Sequence, residues 1–177
     1  MITARLSVPL TDRKRVAGEV AEVLDELIDF NSKPIVSLYW PFRGELNLLD
    51  WMQVAHERGA RIVLPVVVAK AQSLAFREWS PDCEMERGVW NIPIPADSAT
   101  ITPTIVISPL VGYDPDCFRL GYGGGFFDRT LAAVPLRPHV IGVGHPCTAI
   151  PTIHPQPHDI PMDIIKGKIL SGREHHE

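Results

Sequence analysis

Between Pro34 and Val68 the chain changes its hydrophobic period twice. Ile35-Val36-Ser37-Leu38-Tyr39-Trp40 is a short apolar run stopped by Pro41 and the turn residue Gly44. Residues 46–58 (LNLLDWMQVAHER) place Leu48, Leu49, Met52 and Ala55 at helical spacing, with Gly59 as the stop. Arg61 to Val68 is a second apolar run. A helix between two buried strands is a crossover, and crossovers join parallel strands with right-handed geometry. The architecture is therefore α/β: a mixed or parallel sheet sandwiched by helices. The 177 residues (1–177) are one domain's worth of chain.

The flanking segments extend this pattern. Val16, Val20, Val23, Leu24 and Leu27 predict an amphipathic helix from Thr11 to Phe30, with Thr11 or Asp12 as N-cap. Leu74 to Trp79 and Val89 to Ile94 read as short antiparallel or irregular pieces. Ile105 to Leu110 and HVIGVGH are further strands, and DIPMDIIKGKIL supplies a final strand or hairpin. The terminal REHHE reads as a solvated end, within a flexible tail at 171–177.

Composition narrows the function classes. A net charge of −4 disfavours nucleic-acid coating, and no apolar run approaches the ~20 residues of a membrane span. Neither nucleic acid nor membrane is an expected partner. Cys83, Cys117 and Cys147 are too far apart for a zinc finger or CxxC pair, so they read as free thiols of a cytoplasmic protein. His145, His154, His158 and Asp159 match no strong zinc motif and lie among prolines, so a metal site there is the weaker of the open readings.

The least ordinary stretch is RLGYGGGFFDR, residues 119–129, with four glycines in eleven residues. It follows one expected strand and opens an expected helix, from about Gly124 to Ala133. That is where open α/β sheets bind ligands. Such a loop is either a phosphate cradle, in which bare backbone amides meet an anion, or a tight strand-to-helix turn. It is neither a Walker A loop nor a complete GxGxxG. Asp128 is either a Mg²⁺ ligand or a first-turn carboxylate favouring the helix dipole, and Arg129 either neutralises a transferring phosphoryl group or is solvated.

RLGYGGGFFDR closely resembles the RLGYGGGYYDR signature of bacterial 5-formyltetrahydrofolate cyclo-ligases, also called 5,10-methenyltetrahydrofolate synthetases. YWPFRGE, LPVV, FREW, GVWNIP, PLVGYD and PHDIPMD follow the family's order, so the resemblance covers about residues 10 to 165. It implies a fold related to the NagB/RpiA/CoA-transferase group and an enzyme that closes 5-formyltetrahydrofolate to 5,10-methenyltetrahydrofolate, using ATP and Mg²⁺. In that chemistry ATP phosphorylates the formyl oxygen, N10 attacks the activated carbon, and ADP and phosphate are released. The partner is a small-molecule substrate, and the protein works as a monomer or small homo-oligomer. A diverged relative that binds nucleotide or folate without turnover is the alternative.

By the same resemblance, Arg5, Arg119, Gly121, Tyr122, Gly123, Gly124, Gly125 and Phe126 bind ATP. Glu45 and Trp90 meet the folate, as a hydrogen-bonding carboxylate and a stacking ring. Phe127 serves both the substrate and the chemistry, Arg129 the phosphoryl transfer, and Asp128 with Asp163 the metal, with Asp159 as a helper. Two departures stand out. Phe126 and Phe127 replace two tyrosines, which keeps the stacking surface and removes one hydrogen bond. The family's basic N-terminal helix would lie ahead of Met1, and of its cations Arg5 alone corresponds, so weaker ATP binding is expected.

Overall fold

The computed structural model describes residues 1–97 and 99–166. The tail at 171–177 and the end of DIPMDIIKGKIL after Lys166 lie outside the described residues. In chain order the elements are α1 (Ile2–Leu6), α2 (Leu10–Leu27), β1 (Ile35–Ser37), α3 (Leu49–Glu57), β2 (Arg61–Val66), β3 (Ala75–Trp79), β4 (Met85–Arg87), β5 (Pro93–Pro95), β6 (Ile105–Pro109), β7 (Gly112–Tyr113), β8 (Arg119–Leu120), α4 (Phe126–Ala133), β9 (His139–Val143) and β10 (Ile164–Lys166).

Six strands form the main sheet in the order β10-β9-β6-β1-β2-β3. All neighbours are parallel except β2 and β3, which the mixed-sheet expectation accommodates. The expected crossover is present as β1-α3-β2. From β1 the chain moves to one side of the sheet through α3, whereas β6 and β9 lie on the other side. The strand order thus reverses at β1 and β6, and their carboxyl ends open a crevice.

Alternation along the strands sorts side chains to two faces. Val36, Ile62, Leu64, Ile107 and Ile141 join Val16, Val20 and Leu24 of α2 and Met52 and Ala55 of α3 in one core. Val106 and Val140, offset by one residue, point the other way and pack with Leu131 of α4, Leu110 and Met162. Helices therefore cover both faces. Leu24, Val36, Ile62, Ile107 and Ile141 are wholly buried, and each contributes about 1.5–3 kcal/mol of hydrophobic burial.

Several boundaries differ from expectation: β2 ends at Val66 before Val68, α3 spans Leu49–Glu57 within 46–58, and α4 begins at Phe126 after Gly125. α2 begins at Leu10 after Pro9, so Thr11 and Asp12 lie in its first turn and neither caps it. It ends at Leu27 because Ile28 is extended, and a separate 3₁₀ turn over Phe30–Ser32 follows, with the Asp29 carboxylate accepting the Asn31 N–H. β1 stops at Ser37, not Trp40. Leu38 still donates to the Val63 carbonyl at 3.1 Å, but Tyr39 and Trp40 leave the ladder to line a cavity.

Candidate active site

A cavity of about 560 Å³ opens beyond the carboxyl ends of β1, β2 and β6, within the usual size of small-molecule sites. Tyr39, Trp40, Phe42 and Glu45 enter it from the segment after β1, and Val66 and Val67 from the end of β2. Pro109 and Val111 come from the end of β6, Trp90 from the β4-β5 tip, and Arg119 to Asp128 from the glycine loop and the start of α4.

One end is aromatic and acidic. Phe42 and Trp90 stack with centroids 5.7 Å apart and planes 6° from parallel, and Tyr122 meets both edge-on at 6.0 and 5.8 Å. The expectation of a short antiparallel or irregular piece at Val89 to Ile94 agrees with the structure. β4 and β5 form a two-stranded antiparallel hairpin whose tip, Val89–Asn91, holds Trp90 at φ 55° and Asn91 at φ 60°. Left-handed backbone at a bulky residue costs of order 1–3 kcal/mol, and here it delivers an indole that is 51% exposed to the cavity mouth.

Glu45 lies beneath these rings. One carboxylate oxygen accepts the Phe42 N–H at 3.0 Å and the other accepts the Tyr122 hydroxyl at 3.1 Å. Burial pushes its proton affinity up, so that it titrates at about 7; the Phe42 N–H, the Arg5 charge and the Tyr122 hydroxyl only partly oppose this. The Tyr122 hydroxyl is itself raised by burial and then by Glu45. Tyr122, expected among the ATP contacts, therefore belongs to the Glu45 and Trp90 end.

The other end is glycine loop and charge. Gly125 caps α4 at φ 61°, and a Cβ on Gly124 would fall 2.5 Å from the Phe126 ring. Both positions require glycine if the backbone is to lie bare against a ligand. The Arg119 side chain is only 7% exposed. It pairs with Asp128 at 3.1 Å and lies 4.6 Å over the Phe127 ring, while its Nε has no partner. Burial lowers its proton affinity, opposed by Asp128 and Asp159. Asp128 also accepts the Ile160 N–H at 3.1 Å.

The expected residues are not all in one place. Gly121 to Phe127, Arg119, Asp128, Glu45 and Trp90 all line the cavity. Asp163 does not: it accepts the Val140 N–H at 2.7 Å, pairs with Arg137 and lies 3.6 Å from His139 Nδ1 at the start of β9. Asp159, four residues earlier, faces the cavity in its stead. Arg129 turns back on its own loop, donating to the Gly124 and Gly125 carbonyls at 3.3 and 3.4 Å. Arg5 is wholly buried behind the wall. Among the described residues no three His, Cys, Asp or Glu side chains gather as a metal cluster, so the four-residue His/Asp reading of the 145–159 loop is not assembled. The three cysteines are free, as expected.

Two participants escaped the sequence reading. Phe42 supplies the platform for Trp90, although its motif YWPFRGE was recognised. Asp114, the last residue of PLVGYD, is 3% exposed and accepts the Asp116, Phe118 and Ile153 N–H groups. It ties the β7-β8 hairpin carrying the glycine loop to the segment bearing Asp159. A buried Asp two residues before another Asp in a turn was the available signal.

The model of the 5-formyltetrahydrofolate cyclo-ligase family matches residues 1–167. The 5-formyltetrahydrofolate cyclo-ligase of Escherichia coli K12 is 30% identical over 137 residues, spanning 73% of this chain and 75% of that protein. The Haemophilus influenzae protein of the same name is 28% identical over 151 residues, 80% of each chain. The Aquifex aeolicus 5,10-methenyltetrahydrofolate synthetase structure superposes with a TM-score of 0.79 at 24% identity, over 99% of this chain and 95% of that one. That of Mycoplasma pneumoniae gives 0.75 at 20% identity, over 93% and 92%. These two likenesses bear on the fold.

Proposed function

The chain belongs to the 5-formyltetrahydrofolate cyclo-ligase family, and from that premise we propose how its own residues perform the ATP-dependent closure of 5-formyltetrahydrofolate to 5,10-methenyltetrahydrofolate. The observation that carries the reading is one cavity with two chemically opposite ends, an aromatic and acidic one and a glycine-rich, charged one.

The pterin belongs at the first end. Its amino-pyrimidinone edge presents adjacent N–H donors, which an ionised Glu45 can accept while its ring stacks on Trp90. A carboxylate that titrates at about 7 is ionised for most molecules in mildly alkaline solution and loses this acceptor capacity as pH falls.

The triphosphate belongs at the second end, on Gly121 to Gly125 and the unpartnered Arg119 Nε. Asp128 and Asp159 are hard oxygen donors flanking that loop, and a Mg²⁺ ion commonly takes one or two carboxylates plus phosphate oxygens, so this pair fits the ion. When bound, the ion would neutralise phosphate charge during transfer. Arg119, braced on Phe127, adds a fixed positive charge in a desolvated wall. Phe127 thus acts through Arg119, and no hydroxyl is needed for that. Arg129 stiffens the loop by holding two of its carbonyls.

Transfer to the formyl oxygen makes that carbon electrophilic, N10 attacks it, and phosphate departs as the ring closes. The chain's contribution is positioning and charge, because a formamide oxygen is a poor nucleophile. No apolar helix long enough to span a membrane occurs among the described residues, in keeping with the cytoplasmic working place we propose. Calorimetric titration tests the two-ended site. 5-Formyltetrahydrofolate and a non-hydrolysable ATP analogue should each bind in the presence of the other, with tryptophan emission quenched by the folate in the wild type and less so in Trp90→Phe. Mutual exclusion of the two ligands would refute it.

A further inference from the structure

Arg5 is the largest fully buried side chain among the described residues, and its hydrogen-bond partners lie in the segments that wall the cavity. Its Nε and Nη2 both donate to the Arg43 carbonyl, at 3.1 and 2.7 Å. Nη1 donates to the Leu110 carbonyl at 2.9 Å, and Nη2 also to the Tyr122 hydroxyl at 2.6 Å. That hydroxyl, with its oxygen occupied by Arg5, turns its own proton to Glu45 at 3.1 Å. The three anchored points are separate lips of the cavity: the Phe42 to Glu45 turn, the end of β6 and the glycine loop. The turn is built on left-handed backbone at Arg43 (φ 46°) and Gly44 (φ 78°), so its carbonyl direction needs an external hold. Arg5 supplies that hold with a planar, multi-donor head that lysine does not have.

We propose that Arg5 is a positioning residue of the folate end: clamped on the Arg43 and Leu110 carbonyls, it sets the Tyr122 hydroxyl and, through it, the Glu45 carboxylate that receives the pterin edge. It is not a triphosphate contact. The proposal rests on the cyclo-ligase reading of the cavity. The charged and titratable groups facing this cluster are Tyr39 after β1, Arg43 of the turn, whose guanidinium lies 5.9 Å from the Tyr122 ring centroid, Tyr122 on the glycine loop, Arg13 on α2 and the buried His145 after β9. Burial, Arg13 and Arg5 hold the His145 imidazole toward its neutral form, whereas the Arg5 charge favours the Glu45 carboxylate.

The test is separate calorimetric titration of 5-formyltetrahydrofolate and ATP into the wild type, Arg5→Gln and Arg5→Lys. Loss of one charge-assisted contact chain should weaken folate binding about tenfold or more. ATP binding should change by less than about threefold, the spread expected of a remote contact. The pH below which folate binding fails should move upward in Arg5→Gln, because the charge that assists Glu45 ionisation is gone, and Arg5→Lys should not restore the wild-type folate affinity. Should the Arg5 variants fold poorly, Tyr122→Phe cuts the same chain while leaving Arg5 in place and should give the same folate-selective loss. Loss of ATP affinity with folate affinity intact, parallel loss of both, or an unmoved pH limit overturns the proposal. A wild-type protein that binds ATP but no folate would instead overturn the cyclo-ligase reading itself.

Discussion

Glu45→Gln should make the empty protein more stable at neutral to alkaline pH, by an amount that disappears in acid. The wild-type carboxyl titrates at about 7 in the folded chain against 4.5 for a free glutamate. At about 1.4 kcal/mol for each tenfold change in proton affinity, this displacement corresponds to about 3 kcal/mol. The sign follows from linkage: between about pH 4.5 and 7 the folded state holds more protons than the unfolded one, so wild-type stability falls as pH rises through that window and levels off above it. The glutamine variant has no such ionisation. Its amide does face the Phe42 N–H and Tyr122 hydroxyl, and one poorly matched hydrogen bond there subtracts about 1 kcal/mol at every pH. Urea unfolding at about pH 5 and about pH 8.5 should show the difference between variant and wild type rising by about 2.5 kcal/mol in the variant's favour at the higher pH, part of the effect being already present at about pH 5. A difference unchanged with pH, or moving the other way, would refute the burial argument for Glu45.

Further substitutions separate structural from functional roles. Asp128→Asn strands the charge of a buried Arg119 and should cost about 3–5 kcal/mol in urea unfolding; adding Arg119→Met should restore most of that stability but none of the activity. Trp90→Ala removes a half-exposed ring stacked on Phe42, so the melting temperature should shift by a few degrees at most while the KM for folate rises about tenfold. Asp163→Asn should leave the Mg²⁺ dependence of turnover unchanged, because its carboxylate serves the edge of β9, whereas Asp159→Asn should raise the Mg²⁺ concentration needed for half-maximal rate.

Periodicity was enough for the scaffold because the main strands and helices are buried on defined faces. Leu48, Leu49, Met52 and Ala55 at helical spacing between two apolar runs left one connection, and β1-α3-β2 adopts it. Periodicity failed where backbone strain or main-chain partners decide. Val89–Asn91 carries β-branched and aromatic residues yet forms a turn, because two successive left-handed residues reverse the chain between β4 and β5. Arg5 gave no usable signal of its partners: two are carbonyls 38 and 105 residues away, and a carbonyl has no residue type, while the third, the Tyr122 hydroxyl, is 117 residues away. Asp159 and Asp163 sit in one PHDIPMD motif, and the path of the chain through it, with Asp159 accepting the Gln156 N–H at 2.7 Å, determines which faces the cavity. Glu45 and Trp90 became legible through family resemblance, since a first-turn carboxylate and a core tryptophan are the ordinary readings of those residues.

The most direct measurement is the appearance of methenyltetrahydrofolate absorbance when this 177-residue chain is mixed with 5-formyltetrahydrofolate, ATP and Mg²⁺. The account predicts product formation that requires both ATP and the metal, with one ADP released per ring closed. Binding of both ligands without any absorbance change, under conditions where the protein is folded, would contradict it and leave a ligand-binding relative as the better description.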